Sequence, residues 1–458
     1  MLQFLKRHEK IITILFVVVL SAVPVSLAFN NSVWLDEAYG LWWSRMPFGE
    51  MMKRMIGDVH PPLYYLMLRV VLMLTGHSLL AAKLLSVLPL ILIFVQGVTF
   101  VRKQFGRKAM IFFDLFILFS PMMLKKSVEV RMYTWAFYFV LLAAAQMFYL
   151  LRAGAWRKNW VLFTVFSLLA AYTHYFALVS MFFLYAALLL FFSFTRSWKK
   201  VGGWGVCSAA TVIGYLPWLP SAIHQVRMGG AGWITMPTSR LGLIRELFQT
   251  DIPYSEHIYL VFLILVFLAA LFLLWKKRDA ETYWALSCMS VIWFVLIFGL
   301  VYGTLGFPIL IPRYLMIPLC LTILGMSAMC KYVNKWLLVF PCALFLVTGL
   351  CVYPKVWREE YVTLTDKTLA FAREHIGENA IVISDAPSLD TVIPYYFPDR
   401  LEERPDIYIG DYREIWYLDV YDSVDTKKLE EEGVQFINYG QYGFDNVNFE
   451  IYYLYQAP

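Results

Sequence analysis

The sequence contains few charged residues, and this scarcity excludes several classes of protein. Only 16% of its 458 residues are Asp, Glu, Lys or Arg, whereas a soluble globular domain has about 25%. Hydrophobic residues make up 60% of the chain, which is more than one soluble core would bury. The composition therefore excludes a disordered chain, a collagen-like chain and a small disulfide scaffold, and it indicates a membrane protein with several spans.

Cysteines and short catalytic motifs are also scarce. The six cysteines form no CxxC pair, and all of them lie in apolar stretches that end by Cys351, so neither a disulfide framework nor a zinc ribbon is indicated. The sequence lacks a Gly-rich phosphate loop, HExxH and GxSxG. Its basic residues are scattered through short loops, so nothing indicates nucleic acid as a partner. The sequence does not define an oligomeric state.

Charge is distributed unevenly along the chain. Residues 1–353 contain 30 Lys and Arg against 12 Asp and Glu, a net charge of +18, whereas residues 354–458 contain 9 against 21, a net charge of −12. The long apolar runs also end near Tyr353. The sequence therefore predicts a membrane domain over 1–353 and a soluble domain over 354–458, which is long enough for one small domain.

Apolar runs of about 17–20 residues predict membrane-spanning helices. Eleven such runs are present, at 11–29, 80–101, 109–124, 131–151, 159–174, 175–195, 204–221, 257–275, 282–301, 313–330 and 336–353. A further run at 61–75 is shorter and contains Arg69. The predicted fold is a polytopic α-helical membrane protein with about 11 transmembrane helices, interfacial helices, and a small C-terminal α/β domain.

Positive residues orient the predicted helices. Lys6, Arg7 and Lys10 precede the first span, which places the N-terminus of a multi-pass cell-membrane protein in the cytoplasm. If the run at 61–75 does not cross the membrane, every short cytoplasmic loop is basic. If it did cross, those basic loops would face outside, against the rule that positive residues stay in the cytoplasm. We therefore predict an interfacial or re-entrant helix at 61–75 and an extracytoplasmic C-terminal domain. Cleavage of the first segment as a signal peptide, after Ser26-Leu27-Ala28, would leave this orientation unchanged.

The first predicted external loop, residues 30–79, contains two adjacent carboxylates, Asp36 and Glu37, just beyond the first span. One interpretation is a solvated turn in which Asp36 caps a helix that begins near Glu37. The other is a catalytic carboxylate at headgroup level, which takes a proton from an incoming hydroxyl or amine. The residues alone leave both interpretations open.

The same loop contains His60-Pro61-Pro62. Proline begins a helix cleanly, and the residue before it is held extended, so His60 would lie at a helix start where backbone N–H groups favour an anion. The alternative is a structural corner that leads into the interface.

Several cations on predicted external loops run against the orientation rule. Lys125, Lys126 and Arg131 lie between the third and fourth spans, and Arg313 opens the tenth. Such cations favour an anionic ligand, for which a phosphate or pyrophosphate headgroup is the natural candidate. The alternatives are ordinary anionic phospholipids for the loop cations and a snorkelling side chain for Arg313, while Glu129 could pair with a neighbouring cation.

Three further features belong to the predicted membrane domain. His174, at the junction of the fifth and sixth spans, could be a metal ligand, an orienting hydrogen-bond donor or neither. Asp114 lies inside the third span toward its cytoplasmic end, and we predict that it has a pairing or packing role outside the active site. The external segment 222–256 is long enough to form a mobile loop that faces the substrate.

The last 105 residues alternate between short predicted strands and helices, which indicates a small α/β domain. Strands are predicted at 380–384, 406–409, 414–418, 434–437 and 451–454, and helices at 365–375, 389–397 and 427–432. No catalytic cluster stands out here, so the predicted role is substrate recognition or a structural lid.

Taken in order, these motifs resemble those of the GT-C type integral-membrane glycosyltransferases, in particular the bacterial branch related to protein O-mannosyltransferases and the aminoarabinose transferases of lipid A. The matching motifs lie in order within residues 1–330. They are Asp36-Glu37, His60-Pro61-Pro62-Leu63-Tyr64-Tyr65, Glu129-Val130-Arg131-Met132-Tyr133, Thr173-His174-Tyr175, Leu216-Pro217-Trp218-Leu219-Pro220 and Arg313-Tyr314-Leu315.

The resemblance implies a glycosyltransferase that moves a sugar from a polyprenyl-phosphate donor to a lipid, glycan or protein acceptor of the cell envelope, at the outer face of the membrane. It assigns activation of the acceptor to Asp36, with Glu37 as its neighbour. The residues implied for binding of the donor phosphate are His60, Lys125, Lys126, Arg131, Tyr133 and Arg313, and those implied elsewhere in the pocket are Tyr64, Glu129, His174 and Tyr314. Some members of the family use a divalent metal and others do not, so no cofactor is assigned.

Two other functions are consistent with a polytopic membrane protein. A transporter or lipid flippase for envelope precursors would place ionisable residues near the bilayer midplane and show paired broken helices. The sequence offers one such carboxylate, Asp114, and no repeat. A non-catalytic assembly protein would use the soluble domain to bind a partner.

Overall fold

The computed structural model describes residues 8–152, 157–227, 246–248, 254–306, 308–377, 380–389, 391–397, 415–431, 433–445 and 447–456. The predicted strand at 406–409 lies outside the described residues, as does most of the segment 222–256.

Most of the described residues up to Tyr361 are helical. In chain order they are α1 (Glu9–Ser26), α2 (Leu35–Trp43), α3 (Phe48–Ile56), α4 (Leu63–Leu74), α5 (Leu79–Phe105), α6 (Arg107–Phe119), α7 (Pro121–Lys126), α8 (Tyr133–Leu151), α9 (Arg157–Thr173), α10 (Tyr175–Phe194), α11 (Trp198–Tyr215), α12 (Leu219–Arg227), α13 (Ser255–Lys277), α14 (Ala280–Thr304), α15 (Met316–Met329) and α16 (Lys335–Tyr361).

Eight helices in the described ranges are long and apolar enough to cross a membrane. A bent pair, α11 and α12, makes a ninth if it is counted as one span, with a 72° bend at the predicted Leu216-Pro217-Trp218-Leu219-Pro220 motif. Each of the eleven predicted spans coincides with a helix, although α6 and α9 have only 13 and 17 residues. The chain is therefore a multi-pass helical membrane protein, as predicted.

Helix α4 is too short to span. Its 12 residues rise by roughly 18 Å, against a hydrocarbon core of about 30 Å, so the apolar run at 61–75 does not form a full crossing.

The spanning helices differ in how much of their surface is buried within the protein. Residues 316–330 of α15 and its C-terminal turn are all buried, and most of α8 is buried too. Gly325 allows α15 to pack tightly on α14, since a Cβ at that position would overlap the Ala285 carbonyl oxygen. In contrast, α13 exposes large apolar side chains such as Leu265 and Phe272, which suits contact with lipid rather than water.

The C-terminal region forms a four-stranded sheet with the order β1-β2-β4-β3. Its strands are β1 (Ile381–Ser384), β2 (Ile415–Asp419), β3 (Val434–Phe444) and β4 (Val447–Gln456), and its helices are α17 (Thr365–His375), α18 (Val392–Tyr396) and α19 (Thr426–Glu431). Strand β1 pairs parallel to β2, and β4 pairs antiparallel to β2 and β3. The predicted α/β character is confirmed, and β3 and β4 are longer than predicted because they form a hairpin.

The chain folds as two compact units. The helical unit comprises Met1–Ala28, Phe48–Met67 and Ala82–Pro354, and the sheet unit comprises Phe29–Pro47, Leu68–Ala81 and Lys355–Pro458. The predicted division into a membrane domain (1–353) and a soluble domain (354–458) stays a prediction, because the two units are groups of residues in mutual contact and each is made of separate segments of the chain.

Candidate functional site

His60 lies on the turn that joins α3 to α4 in the helical unit, and only 4% of its surface is exposed. The predicted helix start is observed, since α4 begins at Leu63 directly after the two prolines. The end of α3 is held in place by Gln225 of α12, whose side-chain amide donates hydrogen bonds to the carbonyls of Met55 (2.8 Å) and Ile56 (3.3 Å). These contacts fix the backbone immediately before the turn.

Asp58, two residues earlier, is the centre of a hydrogen-bond network. Its Oδ2 accepts from His60 Nδ1 at 3.1 Å and from the Tyr65 hydroxyl at 3.1 Å. Arg131 donates from Nη1 to the same Tyr65 hydroxyl at 3.2 Å, and its Nη2 lies 3.5 Å from His60 Nδ1. Two predicted phosphate-binding residues, His60 and Arg131, are thus brought together from positions 71 apart in the chain.

The charges of this network favour an ionised carboxylate. Burial by itself would raise the pKa of Asp58, but the positive charges of His60 and Arg131 and the hydrogen bond from His60 outweigh burial. The pKa of Asp58 is therefore held below its ordinary value, and the anion orients His60 and Tyr65.

The rings of Tyr133 and Tyr314 lie beside the two histidines, His60 and His174. The Tyr314 hydroxyl lies 3.4 Å from His60 Nε2, and the Tyr314 ring centroid lies 4.8 Å from that of His174. The rings of the two histidines are 5.5 Å apart, and Tyr133 lies 5.9 Å from His174. His60, Tyr133, His174 and Tyr314, which the sequence assigned to the site, therefore form one buried cluster.

A cavity of about 280 Å³ adjoins this cluster. Its polar wall is formed by His60, His174, Tyr175, Gln225 and Tyr314. The rest of the lining is mainly apolar: Val59, Phe176, Leu178, Val179, Val226, Phe298, Tyr302 and Ile309. A second cavity of about 420 Å³ lies between α9, α10 and α11, and Leu178 lines both cavities. The combination of a polar wall, with Arg131 in contact with His60 behind it, and an apolar remainder suits an amphiphilic ligand.

The other predicted phosphate-binding cations differ in their partners and in their exposure. Lys126 forms an ion pair with Glu129, so the sequence-based alternative in which Glu129 pairs with a nearby lysine is observed. Lys125, on the same short helix α7, is exposed. Arg313 is partly buried beside Tyr314, with its guanidinium 5.9 Å from that ring. The structure thus gathers Arg131 and Arg313 near the aromatic cluster and leaves Lys125 at the surface.

Asp36 and Glu37 belong to the sheet unit, in the first turn of α2. The interpretation of Asp36 as the N-cap is wrong, because the cap is Trp34 and the helix begins at Leu35. Glu37 serves this helix start instead: its carboxylate accepts a hydrogen bond from the Trp34 backbone N–H at 3.2 Å. Asp36 is the second residue of α2, and its side chain is partly buried.

Helix α2 packs against α18 of the C-terminal region. Arg45, just beyond α2, donates to the Tyr395 carbonyl at 3.1 Å, and its guanidinium lies 4.8 Å from the Tyr395 ring. The loop that carries the two carboxylates therefore folds together with residues that follow it by about 350 positions.

Sequence reasoning missed the contacts of Asp58 and Tyr65 and the burial of Lys83. Asp58 lies two residues before His60, and Tyr65 is the last residue of the recognised motif that begins at His60. An acid two residues before a histidine was an available signal. Lys83 of α5 is only 1% exposed. It lies one turn before Ser86, which contacts the Tyr64 hydroxyl at 2.8 Å. A lysine inside an apolar run was the signal, since a lysine is almost never fully buried without a partner.

Metal ligation was left open by the sequence. Within the part of the chain that the structure describes, no group of three or more His, Cys, Asp or Glu side chains is arranged to hold a metal ion.

The fold is that of the GT-C type membrane glycosyltransferases, as the sequence motifs predicted. The structure is similar to ArnT from Cupriavidus metallidurans bound to undecaprenyl phosphate, with a TM-score of 0.61, 13% identity, and coverage of 96% of this chain and 97% of that chain. For ArnT from the same organism in the apo state, the TM-score is 0.63 with 14% identity, and coverage is 95% and 97%.

A more distant likeness is to the archaeal oligosaccharyltransferase AglB from Archaeoglobus fulgidus, in complex with an inhibitory peptide and a dolichol-phosphate. Its TM-score is 0.50 with 12% identity, and the match covers 88% of this chain and 62% of that chain. No protein-family model and no curated protein sequence matches the chain. At these identities the likeness establishes the fold.

Proposed function

We propose that the protein is a glycosyltransferase that moves a sugar from a polyprenyl-phosphate donor to an acceptor of the cell envelope, at the outer face of the membrane. The observation that carries this proposal is the cluster of buried His60, Arg131 and Tyr314 with the partly buried Asp58, of which His60 and Tyr314 line a largely apolar cavity. The likeness to ArnT bound to undecaprenyl phosphate supports the same class of donor.

The charges of the cluster suit a phosphate. Arg131 and Arg313 supply two permanent positive charges near His174, and Asp58 supplies one negative charge. Guanidinium groups bind phosphate oxygens through charge-assisted hydrogen bonds, which also stabilise a phosphate that departs as a leaving group. Lys83 adds a further buried cation in the same unit, and Lys125 contributes at most a surface charge.

The apolar parts of the two cavities suit the lipid chain of the donor. A water-filled cavity inside a membrane domain would expose apolar walls, whereas an isoprenoid chain covers them. Leu178 lines both cavities, so their walls meet at this residue.

The chemical step requires a base as well as cations. In the proposed reaction the acceptor oxygen or nitrogen bonds to the anomeric carbon, the bond from that carbon to the phosphate oxygen breaks, and the polyprenyl phosphate leaves with the electron pair. The proton of the acceptor passes to Asp36, as the family resemblance implies, and Glu37 supports α2 through its bond to Trp34.

The proposal is tested in a strain that lacks the protein. Lipid-linked sugars are extracted and identified by mass spectrometry, and the strain is complemented with wild-type protein or with Asp36→Asn. The matched control is Asp422→Asn, the same chemical change at an exposed turn residue of the C-terminal region, whose φ of 57° asparagine tolerates. We expect one lipid-linked sugar to accumulate without the protein and with Asp36→Asn, and to disappear with wild type and Asp422→Asn.

Each alternative has a distinct result. Full complementation by an Asp36→Asn protein would remove Asp36 from the role of base. A polyprenyl-linked sugar that crosses vesicle membranes unchanged in the presence of the purified protein, with no transfer to any acceptor, would favour the transporter or flippase instead.

A further inference from the structure

His174 occupies a position that fixes where its ring proton lies. It is the N-cap of α10, and its Nδ1 accepts a hydrogen bond from the Phe176 backbone N–H at 3.1 Å. An accepting Nδ1 carries no proton, so the neutral ring must carry its proton on Nε2. The local backbone therefore makes Nε2–H a hydrogen-bond donor.

This donor is buried and has no hydrogen-bond acceptor among the residues that the structure describes. The whole side chain is nearly inaccessible, with 2% of the residue exposed. A buried donor without an acceptor is unfavourable, and most such groups in proteins are satisfied. His174 also lines the cavity of about 280 Å³ with His60 and Tyr314, so a bound molecule can reach the same cluster.

The surroundings of His174 select the charge of that molecule. Burial lowers the pKa of His174 well below its ordinary value, and the positive charges of His60, Arg131 and Arg313 lower it further. The ring is therefore neutral, yet it sits among cations. An oxygen with negative charge gains from both the N–H donor and the positive potential, whereas a hydroxyl gains from the donor alone.

We propose that His174 Nε2–H donates a hydrogen bond to a phosphate oxygen of the bound lipid, which makes His174 a ligand-binding residue for the headgroup as well as a helix cap. This inference rests on the proposed function, because it takes the polyprenyl-phosphate donor as the ligand. It assigns to His174 a neutral contact that complements the charged contacts from Arg131 and Arg313.

Two substitutions separate the two roles. Asparagine is a preferred N-cap residue, so His174→Asn keeps an acceptor for the Phe176 N–H and removes the Nε2–H donor. His174→Ala removes both. Each protein is reconstituted in lipid nanodiscs, and its affinity is measured for undecaprenyl phosphate and for undecaprenol, which lacks the phosphate. Thermal unfolding without ligand reports the loss of the cap.

We expect His174→Asn to bind undecaprenyl phosphate about tenfold to a hundredfold more weakly than wild type. Its affinity for undecaprenol and its Tm should be unchanged, and His174→Ala should show the same loss of affinity with a lower Tm. Wild-type affinity for undecaprenyl phosphate in His174→Asn would overturn the inference and leave a helix cap packed on Tyr314. Equal losses for both lipids would also overturn it, because the defect would then lie in the cavity rather than at the phosphate.

Failure of the proposed function has its own signature. If wild-type protein binds undecaprenyl phosphate no better than undecaprenol, the donor class is wrong, and the assignment of His174 falls with it. If wild type prefers the phosphate and His174→Asn retains that preference, only the assignment of His174 is refuted.

Discussion

Replacing Tyr65 by phenylalanine removes the oxygen atom that joins Asp58 to Arg131 in the hydrogen-bond network. The Tyr65 hydroxyl donates to the Asp58 carboxylate at 3.1 Å and accepts from the Arg131 guanidinium at 3.2 Å. The neighbouring Tyr64 offers a matched control, because its hydroxyl contacts a neutral partner, Ser86 Oγ, at 2.8 Å. Both tyrosines are 0% exposed, so each substitution deletes the same atom from a buried ring.

The partners of the two hydroxyls determine the expected magnitudes. A hydrogen bond to a charged group contributes roughly 1.5–3 kcal/mol and one between neutral groups contributes about 1 kcal/mol. Loss of the Tyr65 hydroxyl also leaves part of a buried charged pair unsatisfied, although His60 still donates to Asp58. We therefore expect Tyr65→Phe to lower the free energy of unfolding by about 2–3 kcal/mol and Tyr64→Phe by about 1 kcal/mol.

The comparison is made by unfolding in mixed micelles with increasing denaturing detergent, followed by circular dichroism, with both variants measured beside wild type. Transfer activity is measured on the same preparations, and Tyr65→Phe should lose more of it because Arg131 and His60 lose a shared anchor. Equal losses of stability for the two variants would refute the reasoning, since the charged partners of Tyr65 would then contribute nothing beyond a neutral hydrogen bond.

Two other predictions concern carboxylates. The pKa of Asp58 is lowered in the folded protein, so its contribution to stability is present above its ordinary pKa of 3.8 and is lost as pH falls through the lower folded value. Acid titration followed by intrinsic fluorescence should show this loss of stability in wild type and a flatter profile in Asp58→Asn. Gly97 of α5 packs directly on the Asp114 carboxylate, where a Cβ would overlap it. Gly97→Ala should therefore destabilise by about 1–3 kcal/mol, and adding Asp114→Ala should recover part of that loss; additive losses in thermal unfolding would contradict the predicted packing role of Asp114.

Much of the fold is predictable from the sequence because its signals are local. Uninterrupted apolar runs predicted the positions of the spanning helices, and β-branched and aromatic residues predicted the C-terminal strands. Proline gave equally local information: α4 begins after His60-Pro61-Pro62, and the chain bends by 72° between α11 and α12. The motifs that carry the family resemblance also predicted the fold, because each motif is a short segment that can be read directly from the sequence.

The candidate site was predictable only in part. The sequence predicted phosphate binding for His60 and Arg131, and the resemblance placed His174 and Tyr314 elsewhere in the pocket. In the structure these four residues form one cluster. The sequence assigned Lys126 the same role as Arg131, but only the structure shows that Lys126 pairs with Glu129. A carboxylate three residues away is visible in the sequence, whereas the side-chain geometry that selects one partner from several is not.

The class of protein, a multi-pass helical membrane protein with an acidic C-terminal α/β region, follows from the sequence alone, because hydropathy, charge and turn residues act over short stretches of chain. Which side chains meet is set by the folding of the whole chain. It joins Asp58, Tyr65 and Arg131 in one network, and it holds α2 to Tyr395, about 350 residues later. These contacts arise from the packing of whole helices, so no local pattern specifies them, and the chemistry of the site depends on them.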